Sequence, residues 1–380
     1  DRSVRVLINA LSARRGGGQT YLANILRHKD SRDGLQLYVI CDDSLALPAD
    51  RHDIQRVSVG WPTRNPLVRA VWEYLLLPRL LRSLEIEVLF CPGGVVSRRL
   101  PTNCMVVTMF RNMLPFDLEQ CARYPLGWTR TRLWLLAKVL LRSIERADCA
   151  IFISEFGRRI IGEITAGQLA RSVVISHGLD ARFKTAGCKG IERPQIVGDA
   201  EYLAYVSLLD YYKNQLELVR AFALVRQNRR TLEKLLLVGP SDSGYGDEVR
   251  REVRALDLED AVIVTGHVPH DELPALFFHA KVNIFASSCE NCPNVMLEAM
   301  GSGRPLLASN RPPMPEFAAD AASYMDPSSP EDIAAKVLDL IDNPSRQKLL
   351  GGKASARVAH RNWEHVAQQT WSLIAAQSHQ

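Results

Sequence analysis

Thirteen short apolar runs govern what this chain can become. In the first half they read VRVLINA, LQLYVI, IQRVSV, VLFCP, MVVTMF, CAIFIS and SVVIS; in the second, YLAYVS, KLLLVG, AVIVTG, VNIFAS, RPLLAS and ASYMD. Most are nearly continuous. A strand with one wet face alternates apolar and polar residues, so continuous runs point to strands covered on both faces, as in parallel sheets. Helical patterns such as NQLELVRAFALVRQ and EDIAAKVLDLID lie between them. This alternation, occurring twice, predicts an α/β chain of two Rossmann-like doubly wound parallel-sheet domains. A length of 380 residues agrees, because one core rarely serves more than about 250–300.

The seam is expected in residues 180–201, DARFKTAGCKGIERPQIVGDAE, which are polar, rich in Gly and basic residues, and without periodicity. That gives an N-terminal domain over 1–185, a C-terminal domain over 186–361, and a last helix in 362–380 crossing back to the first domain. Two such domains facing each other would enclose a cleft, with ligands outside the carboxyl ends of the strands.

Composition narrows the class. Apolar residues make up 47% and charged residues 23%, as in globular proteins. No apolar run reaches the length of a membrane span, and the start, DRSVRVLINA, reads as a polar lead-in to a strand rather than a signal peptide. The eight cysteines mostly flank apolar runs and read as reduced thiols of a cytoplasmic protein. Cys289 and Cys292 form a lone CxxC with no second pair and no histidine pair at zinc spacing, so no metal site is expected. Residues 1–180 hold 25 Lys and Arg against 17 Asp and Glu, a balance of +8; the remainder holds 22 against 25, or −3. The basic half suits an anionic partner: phosphates, nucleic acid or an acidic membrane face.

Four places after strands could carry chemistry. In NALSARRGGGQTYLANIL, Gly16, Gly17 and Gly18 open a helix expected to begin near Gln19 or Thr20, where backbone can approach a phosphate or sugar closely. The spacing fits neither a dinucleotide fingerprint nor a P-loop, and a plain flexible loop reads equally well. In YVSLLDYYKNQLELV, Lys213 opens a long helix and can meet a diphosphate as a point charge, or be a solvated surface lysine. Gly239 closes KLLLVG. In VTGHVPHDEL, Gly266, His267 and Val268 follow a strand, with a helix start at Asp271; such a turn can read a flat base edge, although His267 and His270 suit ordinary turn positions. In CENCPNVMLEAMGSGRP, Pro293 and Asn294 begin a helix. The amides of Asn294, Val295 and Met296 would be free donors. Glu298 lies four residues past Asn294 on the same face, where an ionised carboxylate suits a diol. Glu290 hangs in the loop before it. Together they describe a nucleotide-sugar site; simple capping and solvation account for each glutamate singly.

ENCPNVMLEAMGSGRPLLAS resembles the E-x7-E segment of the retaining glycosyltransferases of GT-B fold, the group-1-like family of bacterial O-antigen and polysaccharide synthesis. YVSLLDYYKNQLELVRAF is similar to that family's strand and phosphate lysine, LINALSARRGGGQTYLANIL to its N-terminal glycine loop, and CAIFISEFGRRII to its late N-domain strand. The resemblance spans nearly the whole chain. It implies a metal-independent enzyme with no cofactor beyond its donor substrate. It implies transfer of a hexose, mannose favoured, from a GDP- or UDP-linked sugar to a glycan or polyprenyl-diphosphate-linked acceptor, with no nucleic acid as partner. Glu298 would hold the ribose, Glu290 the transferred sugar, Lys213 the diphosphate, and the amides of Asn294, Val295 and Met296 the phosphates and sugar hydroxyls. Gly17 and Gly18 would line the donor–acceptor gap, Gly239 and His267 would join the donor site, and Val268 would contact the base. Members often carry an arginine where Ser207 stands, and a histidine where this chain has Phe110 or Arg111; Arg111 would supply the positive charge. A hydrolase using Glu290 and Glu298 as an acid/base pair, and a non-catalytic nucleotide-sugar-binding subunit, remain alternatives. WTRTRLWLLAKVLLRSIERAD reads as a core helix first and as a basic interfacial helix second, which leaves room for peripheral contact with an anionic membrane.

Overall fold

Parallel pairing needs a crossover between successive strands, and the computed structural model supplies one between the successive apolar runs of each half. It describes residues 3–13, 17–42, 45–48, 51–169, 171–188, 190–229, 233–241 and 244–377; Gly16 of the glycine loop lies outside them. Contacts divide the chain into two units. One comprises Asp1–Pro115, Thr131–Gly178 and Asn362–Gln380, and the other Phe116–Arg130 and Leu179–Arg361.

The first unit holds β1 (Val4–Asn9), β2 (Leu35–Ile40), β3 (Ile54–Arg56), β4 (Val88–Cys91), β5 (Met105–Phe110), β6 (Cys149–Phe152) and β7 (Ser172–Val174). They form a wholly parallel sheet in the order β3-β2-β1-β4-β5-β6-β7. Val6, Leu7, Ile8, Phe90, Val107 and Ile151 are fully buried along its middle, which is why these runs carry no alternation. The edge strands β3 and β7 are the least buried, and IQRVSV yields only three strand residues. The last helix, Trp363–Gln377, belongs to this unit. It packs on the helix Gly17–Arg27, with Tyr21 Oη 3.2 Å from Thr370 Oγ1 and Trp371 Nε1 donating to Ile25 O at 2.9 Å.

The second unit holds β8 (Tyr202–Val206), β9 (Lys234–Val238), β10 (Val262–Gly266), β11 (Val282–Phe285), β12 (Leu306–Ser309) and β13 (Ser323–Met325). These too are all parallel, in the order β10-β9-β8-β11-β12-β13. NQLELVRAFALVRQ becomes the helix Gln215–Asn228. All but the last residue of EDIAAKVLDLID lies within Pro330–Ile341, whose N-cap Ser329 accepts a hydrogen bond from Asp332 N.

The unit boundary falls at Gly178 and Leu179, a few residues before the expected 185/186 division. The sequence also gave no sign that Phe116–Arg130, inside the N-terminal half, packs with the second unit. In each sheet the strand order reverses once, between β1 and β4 and between β8 and β11. Loops leaving two adjacent strands at such a reversal diverge and leave a crevice at their carboxyl ends.

Candidate functional site

The reversal in the second sheet brings together the two residues that matter most. Lys213 follows β8 and Glu290 follows β11, the strands on either side of the crevice. Lys213 Nζ is ion-paired with Glu290 Oε1. It also sits 4.9 Å from the Tyr212 ring centroid and 5.7 Å from that of Phe285. The lysine is buried, not solvated: only 7% of it is exposed. Burial opposes its charge, but the Glu290 carboxylate and Tyr205 outweigh that and hold its pKa above the ordinary lysine value. Tyr205 Oη donates to Lys213 O at 2.9 Å, and burial pushes that phenol's own pKa well up.

The turn around the lysine is held by Asn214, which the sequence reading passed over. It adopts a left-handed conformation, φ 57°, between the 3-10 turn Tyr211–Lys213 and the following helix. Asparagine tolerates this conformation better than most side chains. Its Nδ2 donates to Ala286 O at 2.6 Å and Ser288 Oγ at 2.8 Å, and Ser288 N donates to Tyr212 O at 2.8 Å. These bonds bind the β8 loop to the β11 loop, so lysine and glutamate are placed by a single network.

Beyond Glu290 the helix Asn294–Gly301 begins, with Pro293 as N-cap. The Asn294 amide is not a free donor: it bonds to Cys292 O at 2.9 Å, because the proline before the helix bends the loop back on itself. Among the described residues the amides of Val295 and Met296 have no backbone acceptor, and they lie at the positive end of the helix. Glu298 stands one turn further on. Its Oε1 lies 3.0 Å from His270 Nε2, while its buried Oε2 has no hydrogen-bond partner. His270 Nδ1 lies in turn 2.6 Å from Arg182 Nη2. His270, read as an ordinary turn residue, is therefore a partner of the glutamate. Each of the two glutamates has its own cationic or polar partner.

Gly239, His267 and Val268 leave the neighbouring strands as expected. Gly239 has φ 147°, its N–H donates to Gly266 O at 2.9 Å, and a Cβ there would fall 2.1 Å from Ser207 O. The close approach of two strand ends accounts for this glycine. Val268 is half-buried and His267 exposed. The helix expected at Asp271 starts at Leu273. Cys289, beside Glu290, is buried, which raises its thiol pKa well above the usual value.

In the first unit the helix after β1 begins at Gly17, earlier than Gln19. A Cβ on Gly18 would approach Ala13 Cβ to 3.3 Å. Arg111, just past β5, lies 5.5 Å over the ring of Tyr21 in that helix, so it shares a neighbourhood with Gly17 and Gly18. Phe110 is 1% exposed and packs on Phe152 at 5.7 Å; it is core. A histidine does stand near Arg111, but from elsewhere in the sequence. His177, buried, packs on Tyr21 and Trp363, each at 5.5 Å between ring centroids.

Two doubly wound parallel sheets with these loop placements define the GT-B glycosyltransferase fold, and solved structures of it match. Sucrose-phosphate synthase from Thermosynechococcus elongatus superposes with a TM-score of 0.75 at 18% identity, covering 98% of both chains. HepE of Anabaena, solved in complex with UDP-glucose, gives 0.71 at 19% identity, covering 98% of this chain and 99% of that one. Family models match both halves: "Glycosyl transferases group 1" over residues 190–357 and "Glycosyltransferase Family 4" over residues 15–183. Between them the two models span most of the chain, which is a group-1-like glycosyltransferase of GT-B fold. O-antigen chain mannosyltransferase B of Escherichia coli is 25% identical over 315 residues, 81% of this chain and 80% of that protein.

Proposed function

We propose that the chain transfers a hexose, with mannose favoured, from a GDP- or UDP-linked sugar to a glycan or polyprenyl-diphosphate-linked acceptor, with retention at the anomeric carbon. The observation that carries this reading is the buried Lys213 paired with Glu290 at the strand-order reversal, beside the amides of Val295 and Met296 that have no backbone acceptor. A departing nucleoside diphosphate gains negative charge as the glycosidic bond breaks. Fixed donors aimed at that charge lower the barrier without reorganising. Lys213 supplies the cation and the two amides supply oriented dipoles, so the same work needs no metal. Glu290 orients the transferred sugar. The free Oε2 of Glu298 accepts from a ribose hydroxyl while His270 holds Oε1. Support for the sugar class comes from the E. coli relative, a mannosyltransferase by name; HepE was solved with UDP-glucose.

The test is a donor panel in EDTA. Labelled GDP-mannose and UDP-glucose are offered with a polyprenyl-diphosphate-linked glycan, and the product's anomeric configuration is read by NMR. One donor is expected to give an α-linked product, and Glu298→Ala should raise its KM at least about tenfold by leaving the ribose hydroxyls unpaired. Inversion, dependence on a divalent ion, or inertness towards both donors would each sink its part of the reading.

The acceptor class implies work at a cytoplasmic membrane face, and the first unit has a surface that suits it. No helix among the described residues is long and apolar enough to cross a membrane. The helix Trp128–Arg146, read first as a core helix, buries Leu133, Leu140 and Ile144 yet exposes Trp134, Leu135 and Val139. Leu67, Val71, Tyr74 and Leu75 are exposed along the helix Pro66–Leu75. Tyr74, Val139, Arg98, Arg142 and Arg146 line one cavity of about 190 Å³ between these helices. Apolar side chains ringed by arginines fit an anionic bilayer. The chain should co-sediment with phosphatidylglycerol vesicles and not with phosphatidylcholine ones; equal behaviour with both would refute peripheral binding.

A further inference from the structure

The chain leaves its first unit after Pro115, spends Phe116–Arg130 with the second unit, and returns at Thr131. We infer that this excursion is a strap that positions the lysine turn, with Arg123 as the positioning residue; the inference rests on the role proposed above for Lys213.

Arg123 reaches two elements that flank the lysine. Its Nη2 donates to Glu217 Oε1 at 2.7 Å, in the first turn of the helix Gln215–Asn228, and its Nη1 to Asn214 Oδ1. Asn214 spends its amide hydrogens on the β11 loop, so Oδ1 is the face left to anchor. A planar guanidinium can serve Oδ1 and a carboxylate at once, where an ammonium is a point donor without the fixed fork. A left-handed asparagine persists only when its surroundings over-determine it, and Arg123 is the part of those surroundings that comes from outside the two loops. The guanidinium also faces Glu217, whose Oε2 is buried without a hydrogen-bond partner. Without Arg123 that carboxylate would lose its ion-pair partner beside the lysine turn.

Three further contacts fix the strap. Tyr124 meets Tyr211 edge-on at 5.2 Å between centroids. Asp117 caps the helix Leu118–Ala122 by accepting from Gln120 N at 3.0 Å, and its charge lies near the Cys289 thiol. Arg130 Nε closes the segment by donating to Tyr124 O at 2.6 Å. The strap thus presses on the residue beside Glu290 as well as on the turn after Lys213.

Hydrogen exchange of the whole chain, read by mass spectrometry, tests this without an activity assay. In Arg123→Ala, residues 211–218 and 286–292 should exchange at least about tenfold faster while β1, β4 and β5 stay unchanged. Arg123→Lys should give an intermediate change in the same two segments, and serves if the alanine variant does not fold. No change there, or equal acceleration in both sheets, would overturn the strap. With the donor that the wild type uses, Arg123→Ala should lower kcat about tenfold and leave donor KM within about threefold. In a Lys213→Ala background the same change should cost almost nothing more, because residues acting as a unit are not additive; full additivity would overturn the positioning role. A wild type inert to every donor would sink the proposed function, and the exchange result would still decide the strap.

Discussion

Replacing Lys213 with alanine should cut turnover at least about a hundredfold, and Glu290→Ala should do the same, the scale of losing one preorganised electrostatic group. The expectation rests on burial. An exposed lysine would lose little, since water would replace it; Lys213 is 7% exposed and tied to Glu290, so its removal leaves a part-buried carboxylate unpaired and the leaving group without its cation. Initial rates with the preferred donor check this, and near-normal turnover in either variant would remove the pair from the mechanism. The sign of the pH effect follows from the same geometry. Its folded pKa is raised above the ordinary 10.5. The lysine's contribution to stability is therefore fully present below about 10.5 and is lost only as pH rises through the raised value. No alkaline limb from Lys213 is expected between neutrality and about pH 10.

The second large effect concerns folding. Gly239→Ala should lower Tm by about 5 to 20 °C, taking roughly 2–4 °C per kcal/mol for a unit of this size. Two costs add: about 1–3 kcal/mol for a side chain at φ 147°, and about as much for moving the Ser207 carbonyl, which lies 2.1 Å from the new Cβ. Gly352→Ala, in the helix Pro344–Val358 with nothing within 4 Å, is the control and should raise Tm slightly, since alanine is the better helix former. Scanning calorimetry separates them. An unshifted Tm for Gly239→Ala would return that glycine to ligand binding alone.

Much of the fold was legible because parallel strands buried on both faces leave an unmistakable trace. Each apolar run supplied a strand, and the edge strands from IQRVSV, SVVIS and ASYMD kept only three residues each. Lys213, Glu290 and Glu298 could be placed after strands for the same reason. What the sequence withheld were contacts between residues far apart along it. His270 gained its role from a glutamate 28 positions away, and Asn214 from the β11 loop. His177 and Arg111 both meet Tyr21, which is far from each of them in sequence. A turn histidine or a polar residue after a lysine looks the same in sequence whether or not such a partner arrives. The Asn294 amide failed as a donor for a local reason: the proline-bent loop returned Cys292 O to it.

The excursion of Phe116–Arg130 has a practical meaning for building hybrids of these proteins. The simplest hybrid would join one protein's N-terminal half to another's C-terminal half at a single junction. Here the polypeptide passes between units at four points, after residues 115, 130, 178 and 361. A one-junction chimera would import a foreign lysine turn while keeping the native Arg123 and Asp117, matched to a surface no longer present. A faithful exchange carries 116–130 along with 179–361, as one inherited piece in two segments.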